Sequence, residues 1–221
     1  MKGNLEKKRN TKADYQVFTI TNSIMKLITL TISLISFTCF SQQIISKKIE
    51  ASILQKYVTD DSTVEKALQF EDKNGKNYLI VTTHLNGSDE WLTKTLLVKH
   101  YIEKSNNQFD LIRQITDNES HCEFDNDLQF LDKSLIITDL DKNKYAEITF
   151  LYKIGCRSDV SPIGLKLMVI ENGSKAAIRG NTLLRGFDFK KEKVTDAAFK
   201  KLPKVIQDQA NKLWDVFAPE F

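Results

Sequence analysis

One short segment of the chain carries oxygen-bearing side chains at almost every second position. Asp139, Asp141, Asn143 and Glu147 alternate with other residues, and Tyr145 between them can offer its main-chain carbonyl. Calcium binds about six to eight oxygen ligands, and acidic residues that alternate on a tight loop can direct their oxygens inward. The spacing is compatible with a calcium site and also with a polar β-turn rich in Asp and Asn.

The same nine residues resemble the short calcium-binding loops of integrin-type and related β-repeat proteins. The resemblance implies a bound calcium ion in this segment, and we expect no other cofactor. Those loops usually have Gly at the position of Lys144. A left-handed backbone at a residue with a side chain costs about 1 kcal/mol, so this departure weakens the resemblance.

Two cysteines follow the apolar N-terminal region, Cys122 and Cys156. In an oxidising compartment such a pair forms a disulfide more often than it stays reduced. Closure of the loop between them would stabilise the fold by about 3–4 kcal/mol. The sequence predicts this disulfide, and the alternative is two buried, unpaired thiols.

The segment after Cys156 contains Arg157 and Asp159, which could together contact a ligand. Arg157 could instead pair with an acid of the 139–147 segment. A third interpretation is a solvated ion pair on a loop that turns at Pro162, and such a pair contributes less than about 1 kcal/mol.

The elements that would position these residues are mostly strands. From Lys66 onward, runs of β-forming residues alternate with turn signals, including Asp72-Lys-Asn-Gly75 and Asn172-Gly173. Apolar residues recur at helical spacing over 196–217, where Pro203 predicts a helix start or a kink. We expect a mainly β fold of antiparallel meander or propeller-blade-like sheets with a C-terminal α-helix.

The order of the strands suggests an internal duplication. The segment 74–85 and the segment 143–154 share a turn followed by a long strand at an offset of 69 residues, and 95–98 falls on 164–167 at the same offset. Regular spacing of a β-meander could also produce this match.

The N-terminal region predicts export. Residues 25–41 have one cation, Lys26, before an apolar core that ends at Ser41, as in a secretory signal peptide. We therefore expect residues 1–24 to be a non-native extension upstream of the true start at Met25. Residues 42–65 would be an N-terminal segment and 66–221 a single β-rich domain in the periplasm, on the cell surface or secreted.

The charge balance excludes one class of partner. Residues 42–221 hold 26 basic and 27 acidic residues, whereas a nucleic-acid-binding protein shows a basic excess. We expect no nucleic-acid partner, and contact with the membrane only through the signal peptide.

The second half of the chain is similar to a family of exported, flavobacterial-type proteins labelled as surface polysaccharide biosynthesis proteins. The similarity covers about residues 130–182 and lies in a set of polar and turn residues: Asp139, Asp141, Glu147, Tyr152, Cys156-Arg-Ser-Asp159, Ser161-Pro162, Lys175 and Arg179-Gly180. It implies a cell-envelope role with surface polysaccharide or its assembly machinery as partner, and it assigns no catalytic residues.

Enzymatic functions have less support in the sequence. The chain contains no nucleophile elbow, phosphate-binding glycine loop or His-Glu-x-x-His motif. The histidines at 84, 100 and 121 have no ligand spacing. Two alternatives to the polysaccharide role stay open: a calcium-stabilised extracellular binding or adhesion module, and a glycan-active hydrolase with an acid pair from 117–127 or 139–147.

Overall fold

Two antiparallel sheets dominate the computed structural model, which describes residues 43–88, 91–104 and 108–220. The described residues from 43 to 220 lie within one compact unit. The predicted extension 1–24 and signal peptide 25–41 lie outside the described residues. In the part of the chain that the structure describes, no helix combines the length and apolarity needed to cross a membrane.

The described strands, in chain order, are β1 Lys47–Lys48, β2 Ser62–Asp72, β3 Gly75–Ser88, β4 Trp91–Lys104, β5 Gln108–Cys122, β6 Asp125–Asn126, β7 Gln129–Phe130, β8 Ile136–Thr138, β9 Glu147–Ile154, β10 Cys156–Arg157, β11 Gly164–Glu171, β12 Ser174–Asn181, β13 Leu183–Leu184, β14 Lys193–Thr195 and β15 Pro219–Glu220. The helices are α1 Ala51–Leu54 and α2 Lys204–Phe217, with 3-10 turns at Asp132–Ser134 and Phe199–Lys201.

Sheet 1 has the order β1-β2-β3-β4-β5, and sheet 2 has the order β14-β12-β11-β9-β7 with β8 also paired to β9. Both are meanders of sequential antiparallel strands, and the predicted hairpin turns join β2 to β3 and β11 to β12. At the second turn Asn172 and Gly173 both have positive φ, which these residue types tolerate. The expectation of a mainly β, antiparallel fold with a C-terminal helix is confirmed.

The main core lies between the two sheets. Sheet 1 contributes alternate residues such as Leu79, Val81, Leu96 and Val98, and sheet 2 contributes a facing set that includes Phe150. Side chains of a strand point alternately to its two faces, so this alternation places every second residue in the core. On the outer face of sheet 1 the N-terminal segment covers a smaller cluster of Ile49, Tyr78, Ile80 and Tyr101.

Sheet 2 is covered on both faces. Its outer face packs against α2 through Ile206, Ala210 and Trp214, at helical spacing of four residues. Strand β9 is consequently buried from Glu147 to Tyr152 without a break. Strand β11 is likewise buried from Leu167 to Ile170. A strand that is covered on both faces does not alternate between buried and exposed residues.

The C-terminal helix begins later than the predicted 196–217. It starts at Lys204 directly after Pro203, which is its N-cap. A proline disfavours helical backbone at the residue before it, and Leu202 is extended (φ −63°, ψ 151°). The prediction that Pro203 marks a helix start is confirmed.

The two sheets repeat the strand order but not the register. In sheet 1 Ile80 pairs with Lys99. At the offset of 69 residues the equivalent pair would be Thr149 with Met168, but Thr149 pairs with Val169. A shift of one residue exchanges the two faces of a strand. The two meanders therefore have the same order of strands, but the residues that pair between neighbouring strands are not equivalent in the two sheets.

Candidate functional site

The acidic loop, residues 139–147, connects β8 to β9 at one end of sheet 2. Three of its side chains accept hydrogen bonds from main-chain N–H groups further along the loop. Lys144 N–H donates to Asp139 Oδ1 (3.3 Å), Asn143 N–H to Asp141 Oδ1 (3.1 Å) and Tyr145 N–H to Asn143 Oδ1 (2.7 Å). Short polar side chains that accept such bonds define the local turn, so the alternating pattern itself shapes the loop.

Two lysines of the acidic loop have left-handed backbone, Lys142 with φ 62° and Lys144 with φ 73°. This is the conformation in which residues with a Cβ are disfavoured by about 1–2 kcal/mol. Lys144 therefore adopts a left-handed backbone, the conformation for which glycine is the usual residue.

Glu147 is the most buried member of the loop, with no exposed surface. Its carboxylate accepts hydrogen bonds from Thr138 Oγ1 (2.9 Å), from Leu140 N–H (3.0 Å) and from Asp141 N–H (3.4 Å). Burial raises the pKa of Glu147, and these hydrogen bonds offset part of that effect.

The structure brings three of the predicted ligands together. Oxygen atoms of Asp139, Asp141 and Glu147 lie within 4.8 Å of one another. Among the described residues no Lys or Arg nitrogen lies within 4.0 Å of these carboxylates. The result is a concentration of negative charge beside a buried carboxylate.

The other two predicted ligands lie at the exposed side of the loop. The Asn143 amide nitrogen donates to Asp141 Oδ2 (3.0 Å) and to the Glu171 carboxylate. The Tyr145 ring lies under Lys73, whose ammonium nitrogen is 4.7 Å from the ring centroid. The Tyr145 side chain therefore packs against the hairpin turn of sheet 1.

That turn fixes the acidic loop from the opposite sheet. Asp72 Oδ2 accepts the N–H of Ala146 (3.0 Å), and Asp72 Oδ1 accepts the Asn77 amide (2.7 Å). His100 Nε2 lies 2.9 Å from Asn77 Oδ1. His100 is 1% exposed, and burial lowers its pKa to about 4, although the nearby Asp72 acts in the opposite direction. Hydrogen bonds thus connect the acidic loop through the half-buried Asp72 to the buried side chains of Asn77 and His100.

The predicted disulfide between Cys122 and Cys156 is present, with Cα atoms 5.5 Å apart. It connects the end of β5 in sheet 1 to β10, which follows β9 of sheet 2. Asn126 reinforces this link, because its amide donates to the main-chain carbonyls of Glu119 (2.9 Å) and Leu92 (3.3 Å). Strand β5 includes residues 117–122, so part of the expected acidic 117–127 loop is strand.

Arg157 forms a second polar site, the Arg157 cluster, defined as Arg157, Asp127, Lys153 and Glu220. Its guanidinium donates to Asp127 Oδ2 (2.6 Å), to Glu220 Oε2 (3.2 Å) and to a main-chain carbonyl of its own loop. Lys153 also pairs with Glu220. Arg157 therefore binds acids outside the 139–147 segment, while Asp159 is exposed.

Sequence reasoning missed the partners of both sites. The burial of His100 could be predicted from the sequence, because Leu96, Val98 and His100 alternate on one face of β4. The pairing of Arg157 with Glu220 had no such signal, since 63 residues separate them.

Comparison of this chain with protein-family models, with curated proteins and with solved structures found no match.

Proposed function

We propose that the protein is an exported, non-catalytic module of the cell envelope that is stabilised by calcium bound in the acidic loop. The observation that carries the proposal is the group of three carboxylates whose oxygens lie within 4.8 Å. Like charges at this distance destabilise one another unless one is protonated or a cation binds between them. A divalent cation would supply the charge that the surrounding residues lack.

The chemistry of the donors favours calcium over a transition metal. Asp139, Asp141, Asn143 and Glu147 offer only oxygen atoms, and hard cations prefer oxygen ligands. The main-chain hydrogen bonds within the loop already hold these side chains in place before a cation arrives. Binding would therefore cost little additional ordering of the loop.

Thermal unfolding tests this proposal directly. Calcium at about 100 times its dissociation constant would stabilise the fold by about 2.7 kcal/mol, which raises Tm by roughly 5–10 °C for a domain of this size. We expect that gain for the wild type in calcium relative to a chelator, and none for Asp141→Ala. Asp188→Ala is the matched control, because it removes an exposed carboxylate elsewhere.

An unchanged Tm in calcium and chelator would contradict the calcium part of the proposal. A gain that persists in Asp141→Ala but disappears in Asp188→Ala would place the cation elsewhere. Magnesium at equal concentration checks selectivity, since it requires a stricter octahedral arrangement than a flexible calcium site.

A glycan hydrolase is less compatible with the acidic loop. A glycosidase needs two carboxyl groups that reach the scissile bond from opposite sides. Glu147 has no exposed surface, and its oxygens accept main-chain and Thr138 hydrogen bonds. Turnover of an envelope glycan that is lost in Asp139→Asn would favour the hydrolase over our proposal.

A role in making or handling surface polysaccharide is the envelope function that we propose for this module. Its support is the resemblance over residues 130–182, which include the acidic loop and strands β8, β9, β11 and β12 of sheet 2. The Cys122–Cys156 disulfide supports export, because disulfides persist in oxidising compartments. Deletion of the gene is expected to change the surface-polysaccharide profile, and the restored gene should rescue it. An unchanged profile would leave only the calcium-stabilised module.

A further inference from the structure

Residues 185–192, the aromatic loop, form a run of eight consecutive exposed residues between β13 and β14. Phe187 is 62% exposed and Phe189 is 43% exposed, and their rings stack with centroids 5.8 Å apart. Neither belongs to the hydrophobic clusters of the described residues. Two stacked phenylalanines in water form an apolar surface, which in soluble proteins often marks an interaction site.

The fold holds the base of this loop in place. The Asn181 amide donates to the carbonyl of Lys190 (2.9 Å), and Asn181 Oδ1 accepts the N–H of Glu192 (2.7 Å). At Gly180 a Cβ would lie 1.9 Å from the Glu192 carbonyl oxygen, so this approach requires glycine. The stacked rings are therefore presented by a loop with an anchored base.

Cations flank the two rings in the sequence of the loop. Arg185, Lys190 and Lys191 are exposed in the same loop, together with the acids Asp188 and Glu192. Lys190 Nζ lies 3.2 Å from Glu192 Oε1, in an exposed ion pair that solvent weakens. The eight residues therefore carry a formal charge of +1, and the cations lie on both sides of the rings in sequence. Phe, Lys and Arg are also the residue types with which interfacial helices contact the headgroup and acyl-chain boundary.

The surface continues onto the last turn of α2. Lys193 Nζ lies 3.5 Å from the Asp215 carboxylate, which places the end of the aromatic loop beside that turn. Lys212 is exposed there, and Val216 is 68% exposed. Apolar and basic groups from two elements thus occupy neighbouring parts of the surface.

We propose that the aromatic loop docks the mature protein on an anionic lipid surface. Phe187 and Phe189 enter the boundary between headgroups and acyl chains, while the loop cations contact lipid phosphates. The choice of a bilayer follows from charge complementarity, because an anionic surface attracts each nearby Lys or Arg. The contact is independent of the calcium site and of the predicted signal peptide.

Vesicle co-sedimentation tests the proposal with the form that begins at Gln42. This form is appropriate because the described residues from 43 to 220 lie within one compact unit. The apolar predicted signal peptide would itself bind lipid, so it is left out. The probes are vesicles of phosphatidylcholine alone and of phosphatidylcholine with phosphatidylglycerol in equal parts. We expect partition to the anionic vesicles that weakens as salt rises from 0.1 to 0.5 M, roughly from a 10 to a 4 Å screening length.

Paired variants identify the loop as the contact. Lys190→Gln with Lys191→Gln should lower the partition coefficient about 25-fold, since each cation contributes about fivefold. Phe187→Ser with Phe189→Ser should lower it by at least about tenfold. The matched controls, Phe124→Ser and Lys47→Gln with Lys56→Gln, change exposed residues of the same types and should have no effect.

Three outcomes would overturn the proposal. The first is no partition to either vesicle, and the second is partition that the loop variants leave unchanged. The third is a glycan or protein ligand whose binding depends on Phe187 and Phe189 while the vesicles stay unbound. All variants should keep the wild-type Tm, because the altered side chains are exposed.

Discussion

The acidic loop and the Arg157 cluster both draw carboxylates out of water beside sheet 2, and they balance that charge differently. In the Arg157 cluster Asp127 and Glu220 meet two cations, Arg157 and Lys153. In the acidic loop three carboxylates meet main-chain N–H groups and a hydroxyl instead. The charges of the Arg157 cluster are balanced, whereas the acidic loop keeps an excess of negative charge.

The pKa values of the two buried glutamates reflect this difference. Burial alone would raise the pKa of Glu220, but hydrogen bonds and charge from Lys153 and Arg157 outweigh burial and lower it. For Glu147 burial dominates, Asp141 adds repulsion, and the pKa is raised. Hydrogen bonds from N–H groups therefore hold a buried carboxylate in position without compensating its charge as fully as a cation does.

The largest expected loss of stability comes from removing the guanidinium of the Arg157 cluster. Arg157→Met leaves Asp127 and Glu220 without their shared cation, and loss of one partner of a buried pair costs about 3–5 kcal/mol. We expect Arg157→Met to lower the free energy of unfolding by about 3–4 kcal/mol. This is the lower part of that range because Lys153 still pairs with Glu220. Unfolding of both proteins in guanidinium chloride measures this loss. Addition of calcium should not restore the lost stability.

Arg185→Met is the control for that change, because it removes an exposed guanidinium of the same type. A loss below 1 kcal/mol in Arg157→Met would mean that the cluster is no more stabilising than a surface ion pair.

The second prediction concerns the support beneath the acidic loop. The pKa of His100 falls from 6.5 to about 4 because the ring is buried. Between these values the unfolded chain binds a proton that the folded chain does not, so stability falls as pH drops from 6.5 towards 4. The loss is about 3 kcal/mol, at about 1.36 kcal/mol for each pH unit.

His100→Gln, which does not titrate, should remove this part of the pH dependence. Urea unfolding at several pH values, with chelator present, gives the slope for both proteins. Equal slopes between pH 6.5 and 4 would show that His100 does not carry the effect.

The comparison also shows which features a sequence can reveal. The acidic loop could be predicted because its residues are neighbours in the chain and their spacing determines the turn. The hairpin turn at Asp72-Lys-Asn-Gly75 and the helix start at Pro203 could be predicted for the same local reason. Arg157 could not be matched to Glu220 in advance, because their contact depends on how β15 lies beside β13 after the sheets have packed. The aromatic loop was missed although its two phenylalanines among lysines were visible in sequence.

The third prediction isolates the charge of the acidic loop. Glu147→Gln keeps the size of the side chain and removes its negative charge. The calcium-dependent gain in stability, about 2.7 kcal/mol at 100 times the dissociation constant, should therefore be lost or strongly reduced. Glu123→Gln, at an exposed glutamate, should keep the full gain. A full gain in Glu147→Gln would remove Glu147 from the ligand set.

The smallest expected effect is the dependence of stability on pH at the two buried glutamates. It is the most specific of the predictions, because Glu147 and Glu220 should contribute slopes of opposite sign. Without calcium, the folded protein binds a proton at Glu147 more readily than the unfolded chain, since the pKa is raised. The contribution of Glu147 to stability therefore increases as pH falls from the raised pKa to the ordinary pKa of glutamate. At Glu220 the pKa is lowered, so its contribution is complete above the ordinary value and is lost as pH falls through the folded value.

Unfolding free energies of the wild type, Glu147→Gln and Glu220→Gln, measured against pH with chelator, should give difference curves of opposite slope. Calcium should reverse the slope at Glu147 alone, because a bound cation requires the ionised carboxylate and acid would displace it. Two slopes of the same sign in chelator would mean that main-chain N–H groups compensate a buried carboxylate as well as lysine and arginine do. The acidic loop would then have no electrostatic need for a cation.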